Sequence, residues 1–595
     1  MPNAFASPVI LLFYFNPALR SSIFSHQYHG RLLATKAHSD SCMIPELGFL
    51  FHQLESLSRI AWSYPTNMPF EGPRVRAWVP SNFLASLASM PEAEQLQILD
   101  GSPAAVDLPR RPEAFYLFLL YQIDKELAKI SKPKLLDSLH GTDFMSVNEF
   151  IAGPGETSQS TARALTIDLA YDSFREETSG VRFGKVLQRA LCGETRLRAW
   201  NQKSRSYETI VQRKIATSLP RILSLSCGCA GRKEEDGLNL WRSTLGAEDH
   251  WLPEVIELEL EDDGGVVVRE CLHIQEDKWE AFRASTTIPP TVSKRVLEKR
   301  SCIAARKHRY ELDAVVSYIR DDLDSNDSVA EVTGHHVVHV RVPKPYKRFL
   351  LSEQHRELAS LAQVDWSSSK AHVAENKFSL ERFQERADRV QASLDALSAE
   401  GYSSAGSSWI LANGYVVSDT VIEDARAFHV AFKEPCLVVY RSVEPVSKET
   451  AAESTLKPSY SLSPGIPADA MTTRSITDGR PSKHTVDNDS LPGEGDLIAF
   501  DAEFVSVQEE ESTVTKSGSK ITLREVRHAV ARISVIHCKT RKVIIDDHVL
   551  PQEPVVDYLT RFSGITPRDL DPVLSPNHLI STRSAYLKLR CLMER

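Results

Sequence analysis

Along the first 444 residues, apolar helical segments alternate with short runs of β-forming residues. Phe115 to Leu127 (FYLFLLYQIDKEL) is apolar over most of a helical surface, the pattern of a buried helix. Pro8 to Phe15 is the longest N-terminal apolar run. It is far shorter than the ~20 residues a bilayer span needs and predicts another buried helix. Arg221 to Cys227, Glu254 to Glu261, Gly264 to Glu270, His336 to Val342 and Pro435 to Arg441 alternate or cluster β-formers, which predicts strands. Leu380, Phe383, Ala387, Val390, Leu394 and Leu397 recur at helical spacing, placing a helix in an insertion around 367–400. That seam is too short for a coiled coil. The mixture predicts an α+β domain over 1–445.

From Val446 to about Gly495 the chain turns to Ser, Thr, Pro, Asp and Gly without apolar periodicity, a flexible linker over 446–495. A second, strand-rich domain is expected over 496–595. It opens with DLIAFDAEFV, Asp496 to Val505. On a strand, Leu497, Ala499, Asp501, Glu503 and Val505 share one face, and Ile498, Phe500, Ala502 and Phe504 the other. Ala529 to His537 and Val543 to Leu550 predict two more strands, and Val555 to Phe562 a helix. No internal repeat is present.

Bulk composition narrows the partners. The chain has 595 residues, 42% hydrophobic and 25% charged, and a formal net charge of −9. That is ordinary for a soluble globular protein and offers no broad basic surface, so a nucleic-acid ligand would be held locally. Nine scattered cysteines do not make a disulfide framework. No signal peptide or membrane segment is read, and a cytoplasmic location, P-bodies included, is expected.

The strongest chemical signal is Asp501-x-Glu503. Two carboxylates on one face of an otherwise apolar strand repel each other and lose hydration unless a cation lies between them. Hard oxygen ligands favour Mg²⁺ or Mn²⁺. Two solvated acids on an edge strand would carry the same dipeptide pattern.

The order of these segments, with the acidic pair on the first strand and SGIT later, resembles the ribonuclease-H-like DEDD exonucleases. DAEFV, the acidic stretch Gln508 to Glu511, ARISVI, IIDDHVL, VVDYLTRFSGI and DLDP are similar to the catalytic subunits of the PAN poly(A)-specific ribonuclease complex. The resemblance implies 3′–5′ hydrolysis of poly(A) by two metal ions. Asp501 and Glu503 stand at the first two of the four metal-binding acids. The later GH…D and H-x4-D segments, which would bring two more acids and a general-base histidine, are not in this sequence, so the chain is expected to be inactive. His528, His537, His548 and His578 lack that spacing and are expected to be structural.

The first 444 residues resemble ubiquitin-specific proteases in the degenerate form carried by the same family. The segments that carry this likeness are NAFASPVILLFYFNPALR, CMIPELGFLFHQL, FGKVLQRAL, RAWNQKSRSY and YELDAVVSYI. The resemblance puts Ala4 at the nucleophile position, His335 in Gly334-His335-His336 at the general base, and Asn413 at the orienting residue. Alanine has no nucleophilic atom, so no deubiquitinase activity is expected. Where relatives place Cys-x-x-Cys pairs for structural zinc, this chain has Cys42 with Pro45, and Asn201 with Ser204; no structural zinc is expected. Cys227-Gly-Cys229 is too closely spaced for a usual zinc pair.

The resemblance implies poly(A) mRNA as substrate, and as partners the regulatory adapter subunit and, through it, poly(A)-binding protein. The adapter-binding region is expected to lie outside this sequence. The competing expectation is a non-catalytic hydrolase-like scaffold in mRNA decay.

Overall fold

In the computed structural model the described residues are 5–23, 43–63, 81–98, 110–128, 135–151, 157–171, 180–228, 236–271, 279–284, 307–320, 334–343, 407–443 and 491–593, with short gaps inside several ranges, and a few positions between 385 and 392. Ala4, nearly all of the insertion at 367–400 and the linker up to Ser490 lie outside them.

The helices and strands up to residue 226 are α1 (Ala6–Tyr14), α2 (Met43–Ser63), α3 (Ser81–Ala88), α4 (Pro91–Gln95), α5 (Arg111–Ala128), α6 (Leu135–His140), β1 (Thr142–Phe150), β2 (Ser158–Ala164), β3 (Ile167–Asp168), α7 (Phe183–Leu191), β4 (Cys192–Asn201), β5 (Ser206–Ala216) and β6 (Ile222–Ser226). Then follow α8 (Asp236–Arg242), β7 (Val255–Leu260), β8 (Val266–Cys271), β9 (Trp279–Ala284), β10 (Lys307–Arg320), β11 (Gly334–Pro343), β12 (Ser407–Asn413), β13 (Val416–Thr420), α9 (Ile422–Arg426) and β14 (Lys433–Ser442). The terminal part adds β15 (Ile498–Gln508), β16 (Glu511–Val514), β17 (Lys520–Arg524), β18 (Arg527–His537), β19 (Val543–Leu550), α10 (Thr560–Ser563), β20 (Leu579–Ser581) and α11 (Thr582–Met593).

The chain divides into two compact units. One comprises 1–18, 57–79 and 91–460; the other 19–56, 80–90 and 461–595. The boundary expected near 445 therefore leaves out a feature invisible to chain order, because 19–56 and 80–90 go with the second unit. Phe49 on α2 shows why: it is buried in one apolar cluster with Ile533, Val535, Ile545 and Val549, and the Arg590 guanidinium lies 4.9 Å from its ring centroid.

In the first unit, ten strands form one mixed sheet. Its main path runs β13-β12-β11-β10-β14-β6-β3, and β7, β8 and β9 branch from β10. β10 pairs antiparallel with β11, β14 and β7. A central strand with both faces covered needs apolar side chains at successive positions, and Ala314, Val315 and Val316 are all buried. α1 and α5 supply aromatic cover. The Phe5 ring, at the entry to α1, meets Phe115 edge-on at 5.5 Å, and Phe13 meets Tyr116 at 5.3 Å. The apolar run at Pro8 to Phe15 is thus a buried helix. A separate four-stranded sheet, β2-β1-β5-β4, ends in the β4–β5 hairpin. No helix among the described residues is long and apolar enough to cross a membrane.

In the second unit the sheet order is β15-β18-β19-β20, antiparallel except for the last pair. The expected helix over Val555 to Phe562 is corrected: only Thr560–Ser563 is helical. Ser506 captures the preceding segment, accepting the Val556 N–H at 2.8 Å and donating its own N–H to the Asp557 carbonyl at 2.7 Å. Leu559 then takes φ +49°, a left-handed conformation that no α-helix can run through.

Candidate functional site

β15 and β18 fix the acidic pair. In their register Asp501 lies opposite Ser534 and Glu503 opposite Arg532. Next along the sheet, Ser534 faces Asp546 and Arg532 faces His548. Directly paired residues share a face, so Asp501, Glu503, Arg532, Ser534, Asp546 and His548 form one polar surface. The opposite face carries Ile533, Val535, Ile545 and Val549 into the core beneath α11. Immediately after Glu503 the register slips, with Phe504 pairing with Val530. A bulge of this kind bends a strand and re-aims the side chains beside it. Beyond it Val505 is fully buried with Ala531, Ile565, Leu570 and Leu579. The acid pair therefore sits where the covered part of the strand gives way to solvent.

Asp501 is exposed and Glu503 half-buried. Neither has a hydrogen bond or ion pair with a described residue. Nearby Arg532 does not neutralise them, because its guanidinium is committed to Asp546, with Nε 2.9 Å and a terminal nitrogen 2.8 Å from the same carboxylate oxygen. Asp546 also accepts a bond from Ser534 Oγ at 3.4 Å. Two adjacent carboxylates whose oxygens are all free make a hard-oxygen donor set suited to a divalent cation. Among the described residues no cluster of three or more His, Cys, Asp or Glu is placed to hold a metal.

A second acidic group in this unit is part of a buried ion pair. Asp547, next to Asp546, points to the opposite face, is fully buried, and lies 2.5 Å from Lys588 Nζ on α11 and 3.0 Å from His578 Nδ1. Burial works to raise its pKa, but the His578 hydrogen bond and the Lys588 charge outweigh it and hold the carboxyl below the ordinary range. The alternation in VIIDDHVL already assigns the two acids to opposite faces, and it was the available signal. Of the other histidines, His537 has its Nε2 3.5 Å from Asp496.

In the first unit the structure brings His335 and Asn413 together, with Asn413 Nδ2 3.2 Å from His335 Nε2. Gly334 is constrained by close approach, since a Cβ there would strike the Tyr318 hydroxyl and the Ile319 carbonyl. Asn201 and Ser204, at the second cysteine-pair position, hold the β4–β5 turn by hydrogen bonds. Asn201 accepts the Lys203 N–H at 2.9 Å and donates to Glu208 at 2.7 Å, and Ser204 Oγ lies 2.9 Å from Ser206 Oγ.

A buried polar cluster that the sequence did not announce joins α5, α6 and β6. Tyr116 Oη lies 2.8 Å from Ser224 Oγ, and His140 Nδ1 lies 3.4 Å from each. Burial lowers the His140 pKa to about 3, so the imidazole is neutral. All three side chains are buried, and the cluster ties helices to sheet.

Comparison with known proteins gives a family for most of the chain. Residues 1–367 match the ubiquitin carboxyl-terminal hydrolase family. The chain is 25% identical over 626 residues to the PAN2-PAN3 deadenylation complex catalytic subunit Pan2 of Rattus norvegicus, which covers all of this chain and 46% of that protein. It is 24% identical over 621 residues to the corresponding subunit of Chaetomium thermophilum, covering 42% of it. The chain thus spans a little under half the length of these relatives. Among solved structures, the Saccharomyces cerevisiae PAN2 pseudoubiquitin-hydrolase-RNase module superposes with a TM-score of 0.53 at 21% identity, over the whole chain and 75% of the module. The same module in complex with AAUUAA RNA gives 0.55 at 19% identity, again over the whole chain and 75% of the module. The fold is therefore that of a hydrolase-like domain joined to a ribonuclease. The chain belongs to the ubiquitin carboxyl-terminal hydrolase family and is similar along its whole length to the pseudo-hydrolase and nuclease part of PAN2 catalytic subunits.

Proposed function

We propose that this chain contributes the hydrolase-like scaffold and the first two metal-binding acids of a poly(A)-specific 3′–5′ exoribonuclease that shortens mRNA tails. The observation that carries the reading is the pair Asp501 and Glu503, free of protein partners on one face of β15 beside a bulge. The donor set fits Mg²⁺ or Mn²⁺. Bound cations would supply an activated water and charge neutralisation at the scissile phosphate. The chain's own part is to present two carboxylates on a rigid strand without the Arg532 charge competing for them. Membership in a complex with a PAN3-type adapter, recruitment through poly(A)-binding protein and a cytoplasmic location belong to this reading, supported by likeness to the PAN2 relatives.

Calorimetric titration with Mn²⁺ and Mg²⁺ tests it. Uptake that Asp501→Ala and Glu503→Ala each abolish is the expected result. Absence of uptake, or uptake indifferent to both substitutions, would refute the metal assignment.

A further inference from the structure

The β4–β5 hairpin carries a surface that neither the hydrolase-like fold nor the acid pair accounts for. Among the described residues β4 is the edge strand of its sheet. In its register with β5, Arg196 pairs with Val211, Arg198 with Thr209 and Trp200 with Tyr207. Alternate positions on a strand share a face, so Arg196, Arg198 and Trp200 line up beside Tyr207. Trp200 is 51% exposed and Tyr207 63% exposed, and their rings meet edge-on at 5.3 Å. Two large aromatic rings held against each other in solvent at a sheet edge are an unusual exposure of apolar surface.

The charge around them is one-sided. Residues 192–216 contain six Lys and Arg against two Glu, in a chain whose net charge is −9. Of these cations, Arg213 is answered by Glu149 at 2.7 Å and Glu194 at 3.3 Å. Glu208 is on the opposite face and engaged by Asn201 at 2.7 Å. Arg196 and Arg198 have no ion pair or hydrogen bond with any described residue. The face therefore offers two free guanidinium groups in a row that leads to an aromatic pair.

We propose that this face of the β4–β5 hairpin is a docking platform for single-stranded RNA, with Trp200 and Tyr207 stacking bases and Arg196 and Arg198 taking phosphates. Single-stranded nucleic acid is the one partner that uses both halves of the surface. Its bases have π-faces for the rings, and its backbone supplies regularly spaced anions. An acidic peptide would answer the arginines and leave the rings idle. An apolar helix would cover the rings and bury unpaired cations. Along the strand, Arg196 and Arg198 are about 7 Å apart, a spacing that suits successive phosphates of an extended chain. The inference deepens the function proposed above by adding an RNA-binding surface on a different unit of the chain from the one that carries the carboxylates. It rests on that reading only for the choice of adenylate as probe.

The test is fluorescence anisotropy of the whole chain with a labelled single-stranded oligoadenylate in EDTA, where cation loading of Asp501 and Glu503 plays no part. Trp200→Ala and Tyr207→Ala should each weaken binding by roughly tenfold, with Trp200→Phe restoring most of it. Replacing both Arg196 and Arg198 by Ala should make the salt dependence shallower by about 1.4 in logarithmic slope, ~0.7 for each phosphate no longer neutralised. Melting temperatures equal to the parent's establish that the hairpin is intact, and the arginine variants carry the test if a ring substitution unfolds it. Affinity and salt slope unchanged in all variants overturn the proposal. So does unchanged RNA binding alongside abolished binding of a polyglutamate peptide, which would make the face a protein site. A failed metal titration with positive hairpin results would sink the carboxylate assignment and leave this one standing.

Discussion

Asn413 Nδ2 lies 3.2 Å from His335 Nε2, across the β11–β12 neighbourhood of the large sheet. The amide and the imidazole are within hydrogen-bond reach of each other, and which of them donates follows the imidazole tautomer. The resemblance puts this pair at the base and orienting positions of a thiol hydrolase and residue 4 at the nucleophile position, where this chain has an alanine with no nucleophilic atom. A ubiquitin-derived electrophilic probe should therefore leave every cysteine of the protein unlabelled. Asn413→Ala should cost only about 0.5–1.5 kcal/mol of stability, the worth of one exposed hydrogen bond, and leave RNA binding unchanged. Labelling of a cysteine by the probe, read by intact mass, would contradict this.

The free carboxylates predict opposite effects of one substitution in two conditions. With millimolar Mn²⁺ the parent should melt at a higher temperature than in EDTA, since a ligand that binds only the folded state stabilises it. Asp501→Asn should lose that increment. In EDTA the same variant should be as stable as the parent or more so, by up to about 0.5 kcal/mol, because it relieves repulsion between neighbouring anions. Scanning calorimetry of both proteins in both buffers checks the crossing.

Asp547 should be the costliest polar position in the second unit. Removing it by Asp547→Ala leaves the buried Lys588 ammonium without its partner, at about 3–5 kcal/mol. The sign with pH follows from a folded-state pKa held below the unfolded one. The unfolded chain then binds more protons, so this contribution is complete above about pH 4 and is lost as the pH falls further. Melting curves between neutral and acid pH should show a steep acid loss in the parent that the variant lacks.

Glu270 works in the other direction. Burial raises its pKa to about 7, partly offset by the Gly184 N–H that it accepts at the start of α7. Glu113 is likewise raised by burial to about 7, against the opposing N–H of Gly228 at 3.0 Å. The folded state holds these protons longer than the unfolded chain does, so stability declines as pH rises from about 4.5 through 7. Glu270→Gln keeps an acceptor for Gly184 without the charge. It should be more stable than the parent at pH 8 by about 1–3 kcal/mol, and indistinguishable from it at pH 4. Denaturant midpoints at the two pH values decide.

Strands whose apolar pattern is set by a covered sheet were legible from residue order. RILSLSC, EVIELELE and HVVHVRV all became strands within a residue or two of their expected limits, because two-residue alternation and β-branched side chains act locally. The Val555 to Phe562 helix failed for the converse reason. Its backbone donors and acceptors were claimed by Ser506, about fifty residues earlier, and no local propensity records such a capture. The acid pair was visible as a chemical pattern, whereas the commitment of Arg532 to Asp546 needed the β15-β18-β19 register.

The sequence by itself determined the order of most elements and the shared face of Asp501 and Glu503, since each depends on residue identity and on strand or helix period alone. Tertiary structure decided that Phe49 joins the nuclease-like core, that Asn413 reaches His335, and that Arg196, Arg198, Trp200 and Tyr207 stand together in solvent. Those relations join segments distant in the chain or fix which face a partner covers. They are set by packing and strand register, which no short window of residues contains.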